Sequence, residues 1–151
     1  FADSSQQKEQ LWKMRRSVGE AVKINSIYKE EDTVVPRAEL PQLLKGVKCI
    51  GKKYGFKSVC YGHAGDGNLH INIIKGDMSE KAWNEDLTKG IREIFELTVS
   101  LGGTISGEHG IGLVQKEFMD IAFSEENIAI QKRIKSVFDP KGILNPKKIF
   151  I

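Results

Sequence analysis

An α+β fold is what this sequence predicts, and three observations predict it. Short β-branched runs alternate with long amphipathic segments of helical period. Two of those runs flank a polar, glycine-rich turn too short for a crossover, so they pair antiparallel. From residue 32 the order is strand, helix, strand, strand, helix, strand. That is the split β-α-β pattern of a ferredoxin-like antiparallel sheet, here with an N-terminal helix and a helical C-terminal extension.

Residues 7–28 read as the N-terminal helix, because Leu11, Met14, Val18 and Val22 share a face. "DTVVP" at 32–36 is a short β-branched strand closed by Pro36. A helix follows over 38–54, with a stripe of Leu40, Leu43, Leu44, Val47, Ile50 and Tyr54. Pro41 fits only in its first turn, and Gly55 is a natural stop. "FKSVCYGH" (56–63) and "NLHINII" (68–74) are the hairpin strands. Asp77 or Ser79 caps a long helix that runs to about 101 and ends at Gly102-Gly103. "TIS" (104–106) is the last strand, and it enters "GEHGIG". Residues 110–122 and 124–138 are predicted helical, the latter with Ile130, Ile134, Val137 and Phe138 on its apolar side. "DPKGILNPKKIF" is an irregular tail.

A chain of 151 residues suits one domain with its own core. The expected layout is a single unit over 1–151, with a ferredoxin-like core at about 30–108 and an extension and tail over 109–151. The net charge is only +3, and Lys and Arg are scattered rather than striped, which argues against nucleic acid. The two cysteines, Cys49 and Cys60, form no CxxC pair and read as reduced thiols. No apolar run nears the roughly 20 residues needed to span a membrane. With no signal or targeting segment, a cytoplasmic protein, free or peripheral to a membrane, is the expectation. An opening on Phe1 reads as a processed product or a piece of a longer chain.

The chemistry concentrates in two glycine-rich segments, which hold all three histidines of the chain. Alternation puts Tyr61 and His63 on one face of the first hairpin strand, and His70 and Asn72 on one face of the second. The hairpin can bring His63 and His70 together across the turn, as a divalent metal requires. Glu108, just after the last predicted strand, is the best candidate for a third ligand. Asp66 is a rival that also suits shaping the turn. "GEHGIG" runs the wrong way for a dinucleotide fingerprint, and no Walker lysine or nucleophile elbow occurs.

At these residues the sequence resembles a known family. "GHAGDGNLHINI", "GGTISGEHGIGLVQKEF" and "FDPKGILNPKKIF", with "LWKMRRSV" and "EDTVVPRAEL", are similar to the C-terminal domain of FAD-linked oxidases. This is the glycolate oxidase, D-lactate dehydrogenase and D-2-hydroxyglutarate dehydrogenase group of the vanillyl-alcohol-oxidase superfamily. The resemblance covers about residues 10–150 in the family's order. It implies oxidation of a D-2-hydroxy acid to a 2-oxo acid with hydride transfer to FAD. It further implies a divalent metal, commonly zinc, on His63, His70 and Glu108, and a general base at His109 beside the flavin. Arg15, with Arg16 as a neighbouring alternative, matches a substrate-carboxylate arginine. Asn72 and Lys29 match substrate-binding positions. Asn145, in the Asn-Pro of the tail, matches a segment that returns to the flavin. The FAD-binding domain that the family joins to this one has no counterpart here. The chain is therefore expected to be the substrate and metal half of a larger enzyme, with no FAD and no turnover by itself. The small hydroxy acid and the FAD-binding domain of the same polypeptide are its implied partners. A non-catalytic metal-binding or assembly module of the same fold is the alternative from another class, and a His/His/Glu metal hydrolase is a third.

Overall fold

The computed structural model of the chain describes residues 1–150, apart from the side chains of Lys23 and Asn25. Ile151, the last residue of the expected domain, lies outside the described residues. The elements are helix α1 (Ser5–Asn25), strand β1 (Tyr28–Val34), helix α2 (Leu40–Tyr54), strands β2 (Lys57–His63) and β3 (Asn68–Ile74), and helices α3 (Leu87–Ser100), α4 (Met119–Ala122) and α5 (Glu125–Phe138). The predicted α+β architecture with an antiparallel sheet is what the chain forms.

The sheet order is β1-β3-β2, with both outer strands antiparallel to β3. β1 and β2 are thus parallel to each other with β3 between them, which is the split β-α-β arrangement. The last strand is reduced to a single bridge between Thr104 and Val34 on the free edge of β1. Residues 105–106 leave that edge because Ser106 is drawn into the following turn. Its hydroxyl accepts from the Gly110 N–H at 2.7 Å and donates to Asp32 Oδ2 at 3.5 Å.

β1 starts at Tyr28, four residues before the predicted strand, and takes in Lys29, Glu30 and Glu31. Charged residues are poor strand formers, but seven consecutive register pairs with β3 override that preference. α2 has Pro41 in its first turn and ends at Gly55, as expected. Ser79 rather than Asp77 caps the helical segment that begins at Glu80 and runs through a π-helical turn at Ala82–Asp86 into α3, its Oγ accepting from the Ala82 N–H at 3.1 Å. Residues 110–115 are not helical. Gly110 and Gly112 sit at φ +78° and +54°, and helical geometry begins only at Lys116.

α2 and α3 cover one face of the sheet. Leu43, Val47 and Ile50 of α2 meet Leu69, Ile71 and Ile73 of β3 and Leu87, Ile91, Ile94 and Phe95 around α3, all buried. Full burial of each is worth about 1.5–3 kcal/mol. The other face carries even-numbered residues of β1 and β3; the loop at 107–109 crosses it at Asp32 and His70, and α1 gives the remaining cover. That cover is light: within the predicted α1 stripe Val22 alone is buried, and Leu11 and Met14 are exposed. Ile130, Ile134, Val137 and Phe138 of α5 are exposed as well, so its predicted apolar side finds no cover among the described residues.

The core face holds one carboxyl. Glu31 is 2% exposed and accepts from Gln115 Nε2 at 3.2 Å. Burial pushes its pKa up to about 7, against lowering by the Gln115 hydrogen bond and by Lys29. Unfolding returns Glu31 to its ordinary value of 4.5. The stability it permits is therefore complete below 4.5 and lost as pH rises through about 7. This one group should lower unfolding free energy by at most about 1.4 kcal/mol per pH unit in that window. Denaturant titrations of wild type and Glu31→Gln across the window check this. The variant should show the flatter dependence, and equal slopes would contradict the assignment.

Candidate functional site

The open face of the sheet is laid out in rows fixed by register. Glu30 lies opposite Asn72, and Asn72 opposite Val59. Asp32 lies opposite His70, and His70 opposite Tyr61. Val34 lies opposite Asn68, and Asn68 opposite His63. Every side chain in these rows points to the same side. The turn that joins β2 to β3 needs Gly67, which sits at φ +75° with Val35 O only 1.9 Å from where a Cβ would stand.

Asp32 organises the site. It is fully buried, yet it is a carboxylate. Its Oδ2 accepts from the backbone N–H groups of Gly107, Glu108 and His109 at 2.9, 2.6 and 2.8 Å. Its Oδ1 accepts from Asn68 Nδ2 at 2.6 Å. Three successive N–H groups turned onto one oxygen form an anion nest, here filled by a side chain of the same protein. Burial raises the Asp32 pKa, but the hydrogen bonds from His109, Glu108 and Asn68 outweigh it, so the carboxyl is held below its ordinary value. Gly107 lets the loop close this tightly, since a Cβ there would lie 2.3 Å from Asn68 Nδ2.

The loop so pinned brings Glu108 over the hairpin. Glu108 Oε1 lies 3.0 Å from His70 Nε2 and 3.7 Å from His63 Nε2. The two imidazoles meet edge-on at 5.9 Å between centroids. The three ligand atoms fall within 4.8 Å of one another. Donors about 2.0–2.2 Å from a tetrahedral zinc stand about 3.4 Å apart, so this spacing fits such an ion. His70 is buried, and its Nδ1 is a buried nitrogen without a hydrogen-bond partner. That nitrogen stands 3.6 Å from Glu30 Oε1 and 3.7 Å from Asp32 Oδ1. A carboxylate behind the far nitrogen of an imidazole is the usual support of a metal-ligating histidine. Asp66, the rival third ligand, lines the hollow beside His63 and Glu108 but lies outside the three-ligand group.

His109 stacks on His70 at 5.0 Å and 24°, and is exposed. Asn72 lies two residues beyond His70 on the same face. It is 1% exposed, with both amide atoms unpaired. Arg15 is exposed on α1, one turn before Gly19, where an added Cβ would stand 3.5 Å from the Tyr61 hydroxyl. Lys29 is not brought to the site. Being odd-numbered on β1, it faces the other way, donates to Trp83 O at 3.1 Å and lies over the Trp83 ring. Asn145 is on the exposed tail at φ +46°, its carbonyl accepting from the Lys148 N–H at 3.3 Å.

Sequence reasoning missed Asp32, Glu30 and Asn68. The signal was available in "EED" at 30–32: consecutive acids inside a strand put at least one carboxylate on each face of the sheet, and a buried one needs donors.

Comparisons with known proteins identify the family. The family model described as "FAD linked oxidases, C-terminal domain" matches residues 1–149. The chain is 41% identical over 120 residues to "Glycolate oxidase subunit GlcD" of Bacillus subtilis, covering 80% of this chain and 25% of that protein. It is 38% identical over 153 residues to "D-2-hydroxyglutarate dehydrogenase" of Stutzerimonas stutzeri, covering 99% of this chain and 33% of the relative. It is 34% identical over 149 residues to "D-lactate dehydrogenase" of Anaerostipes hadrus, at 98% and 31% coverage. The chain thus spans a quarter to a third of the length of these curated relatives. No helix of the described residues is long and apolar enough to cross a membrane.

If Asp32 holds the 107–109 loop, its removal should cost ligand geometry before it costs the fold. Asp32→Asn should weaken zinc binding by the chain about tenfold or more, the range for lost support behind a metal site. Calorimetric titration of the folded variant, checked by circular dichroism, measures this. Unchanged affinity would refute the role.

Proposed function

Because the chain belongs to the family of FAD-linked oxidase C-terminal domains, we propose that it is the substrate and metal half of a flavoenzyme oxidising a D-2-hydroxy acid to the 2-oxo acid. The observation that carries the reading is the convergence of His63, His70 and Glu108 at ion-binding distances with His109 stacked beside them. The names of the relatives, which specify glycolate, D-lactate and D-2-hydroxyglutarate, support the substrate class.

His63, His70 and Glu108 would hold a divalent ion, and two imidazoles with one carboxylate suit zinc. When bound, that ion supplies Lewis acidity to a substrate hydroxyl. FAD, when bound, supplies the two-electron acceptor. His109 would take up the proton that the substrate hydroxyl gives up when the hydroxy acid becomes a 2-oxo acid. Arg15 pairs with the substrate carboxylate, and the unpaired amide of Asn72 supplies a buried donor and acceptor on the substrate side. Asn145 belongs to the tail that meets the flavin domain. Lys29, occupied with Trp83, has no part in this reading.

The flavin would be bound mainly by a further domain of the same polypeptide. Exposed Leu11, Trp12 and Met14 on α1 and Ile134 and Phe138 on α5 support such a neighbour, since they present more apolar surface than the chain itself covers.

Zinc and manganese titrations of the chain by calorimetry test the metal half of this reading. One-to-one binding should appear in wild type and be lost in the His63→Ala/His70→Ala variant. Equal binding by the variant would place the ion elsewhere and remove it from the reading.

A further inference from the structure

A second set of ligand atoms lies beside the first. Glu30, His70 and His109 each place one donor atom within 4.8 Å of the other two, as His63, His70 and Glu108 do. The two sets share only His70, and they meet its ring at opposite nitrogens. Glu108 Oε1 stands 3.0 Å from Nε2, whereas Glu30 Oε1 stands 3.6 Å from Nδ1.

Nδ1 of His70 is the atom in need of a partner. The side chain is only 8% exposed, and Nδ1 is buried without a hydrogen bond. Its neighbouring carboxylate oxygens, Glu30 Oε1 at 3.6 Å and Asp32 Oδ1 at 3.7 Å, are too distant to accept one. Two donors on one tetrahedral zinc stand about 3.4 Å apart. The gap between Nδ1 and Glu30 thus has the width of an ion rather than of a proton. Asp32, ionised by its four hydrogen bonds, adds negative charge beside it. His109 stacks on the His70 ring at 5.0 Å and supplies the third donor. Because His109 is exposed, its ring can tilt toward an ion without moving buried atoms.

A neutral imidazole has one proton and one free lone pair. His70 therefore serves one ion at a time, through Nε2 in the first set or Nδ1 in the second. With the ion on Nδ1, the ring proton sits at Nε2, beside the Glu108 carboxylate.

We propose that Glu30, His70 Nδ1 and His109 form a second divalent-cation position, alternative to the one on His63, His70 Nε2 and Glu108. An ion there occupies the lone pair that His109 needs to take up a proton, so it marks a resting state of the site. That consequence rests on the oxidase reading above; the position itself rests on the geometry.

The test is zinc titration of the complete chain by calorimetry, with long-range proton–nitrogen NMR spectra of the histidine rings to show which nitrogen holds the ion. His63→Ala takes a ligand from the first set alone, at an exposed position. This variant should still bind one zinc, with the metal-shifted signals on His70 Nδ1 and on a ring nitrogen of His109. Adding Glu30→Gln to it should lower the affinity by at least about tenfold, the lower end of the loss seen even for supporting residues. A carboxylate that merely supports Nε2 ligation would leave Nδ1 protonated, so the NMR signature separates the two roles. Zinc bound through Nε2 in His63→Ala, no zinc bound by that variant while circular dichroism shows it folded, or an affinity unmoved by Glu30→Gln overturns the proposal. Each of these leaves the oxidase reading standing, because that reading uses only the set with His63 and Glu108.

Discussion

One buried carboxylate joins the two halves of this site. Asp32 sits in the middle of β1, accepts three consecutive backbone N–H groups from residues 107–109, and is braced from the hairpin by Asn68. A charge buried in this way is costly unless every lone pair is used, and here four donors at 2.6–2.9 Å use them. The residues it gathers lie 75–77 positions away in sequence. Without that bond the segment carrying Glu108 and His109 would be tied to the sheet only at its ends, by the Val34–Thr104 bridge and the Gln115–Glu31 hydrogen bond. Because folding pulls the Asp32 carboxyl below its ordinary value, this contribution is present at neutral pH and lost as acid protonates the folded carboxyl.

β1 achieves this by splitting its acids between two surfaces. Glu31 goes to the core face, where burial raises it to about 7 and Gln115 donates to it. Glu30 and Asp32 go to the open face beside His70. Gln115 follows the 107–112 loop in sequence, so consecutive residues of one strand hold both ends of the segment that carries Glu108 and His109. The last strand is short for the same reason. Extending the pairing beyond the Val34–Thr104 bridge would take Ser106 and Gly107 away from Asp32.

Much of this was legible in the sequence, for local reasons. α2 and α3 have strong 3.6-residue patterns that tertiary packing then used, so Leu43, Val47, Ile91 and Ile94 are all buried as their spacing required. The hairpin was legible because its turn is short and its strands alternate; that His63 and His70 share a face was set by the register, Tyr61 opposite His70 and His63 opposite Asn68. The exposed stripes of α1 and α5 misled because periodicity reports that a face is apolar without reporting what covers it. Lys29, matched to a substrate-binding position only through the family resemblance, lies on the opposite face of the sheet from His70, held by Trp83. Asp32 was hidden because its partners are backbone groups of a loop distant in sequence, and no side-chain pattern marks them.

Amide hydrogen exchange by NMR on the metal-free chain tests this account most directly. If Asp32 holds the loop, the amides of Gly107, Glu108 and His109 exchange far more slowly than those of the neighbouring Gly110 and Gly112 near neutral pH, and Asp32→Ala brings all three to unprotected rates while Ile71 and Ile73 of β3 stay protected. Fast exchange at 107–109 in the wild-type chain, with β3 protected, would contradict it, because the nest would then be empty and the convergence of Glu108 with the histidines would have no cause in the fold.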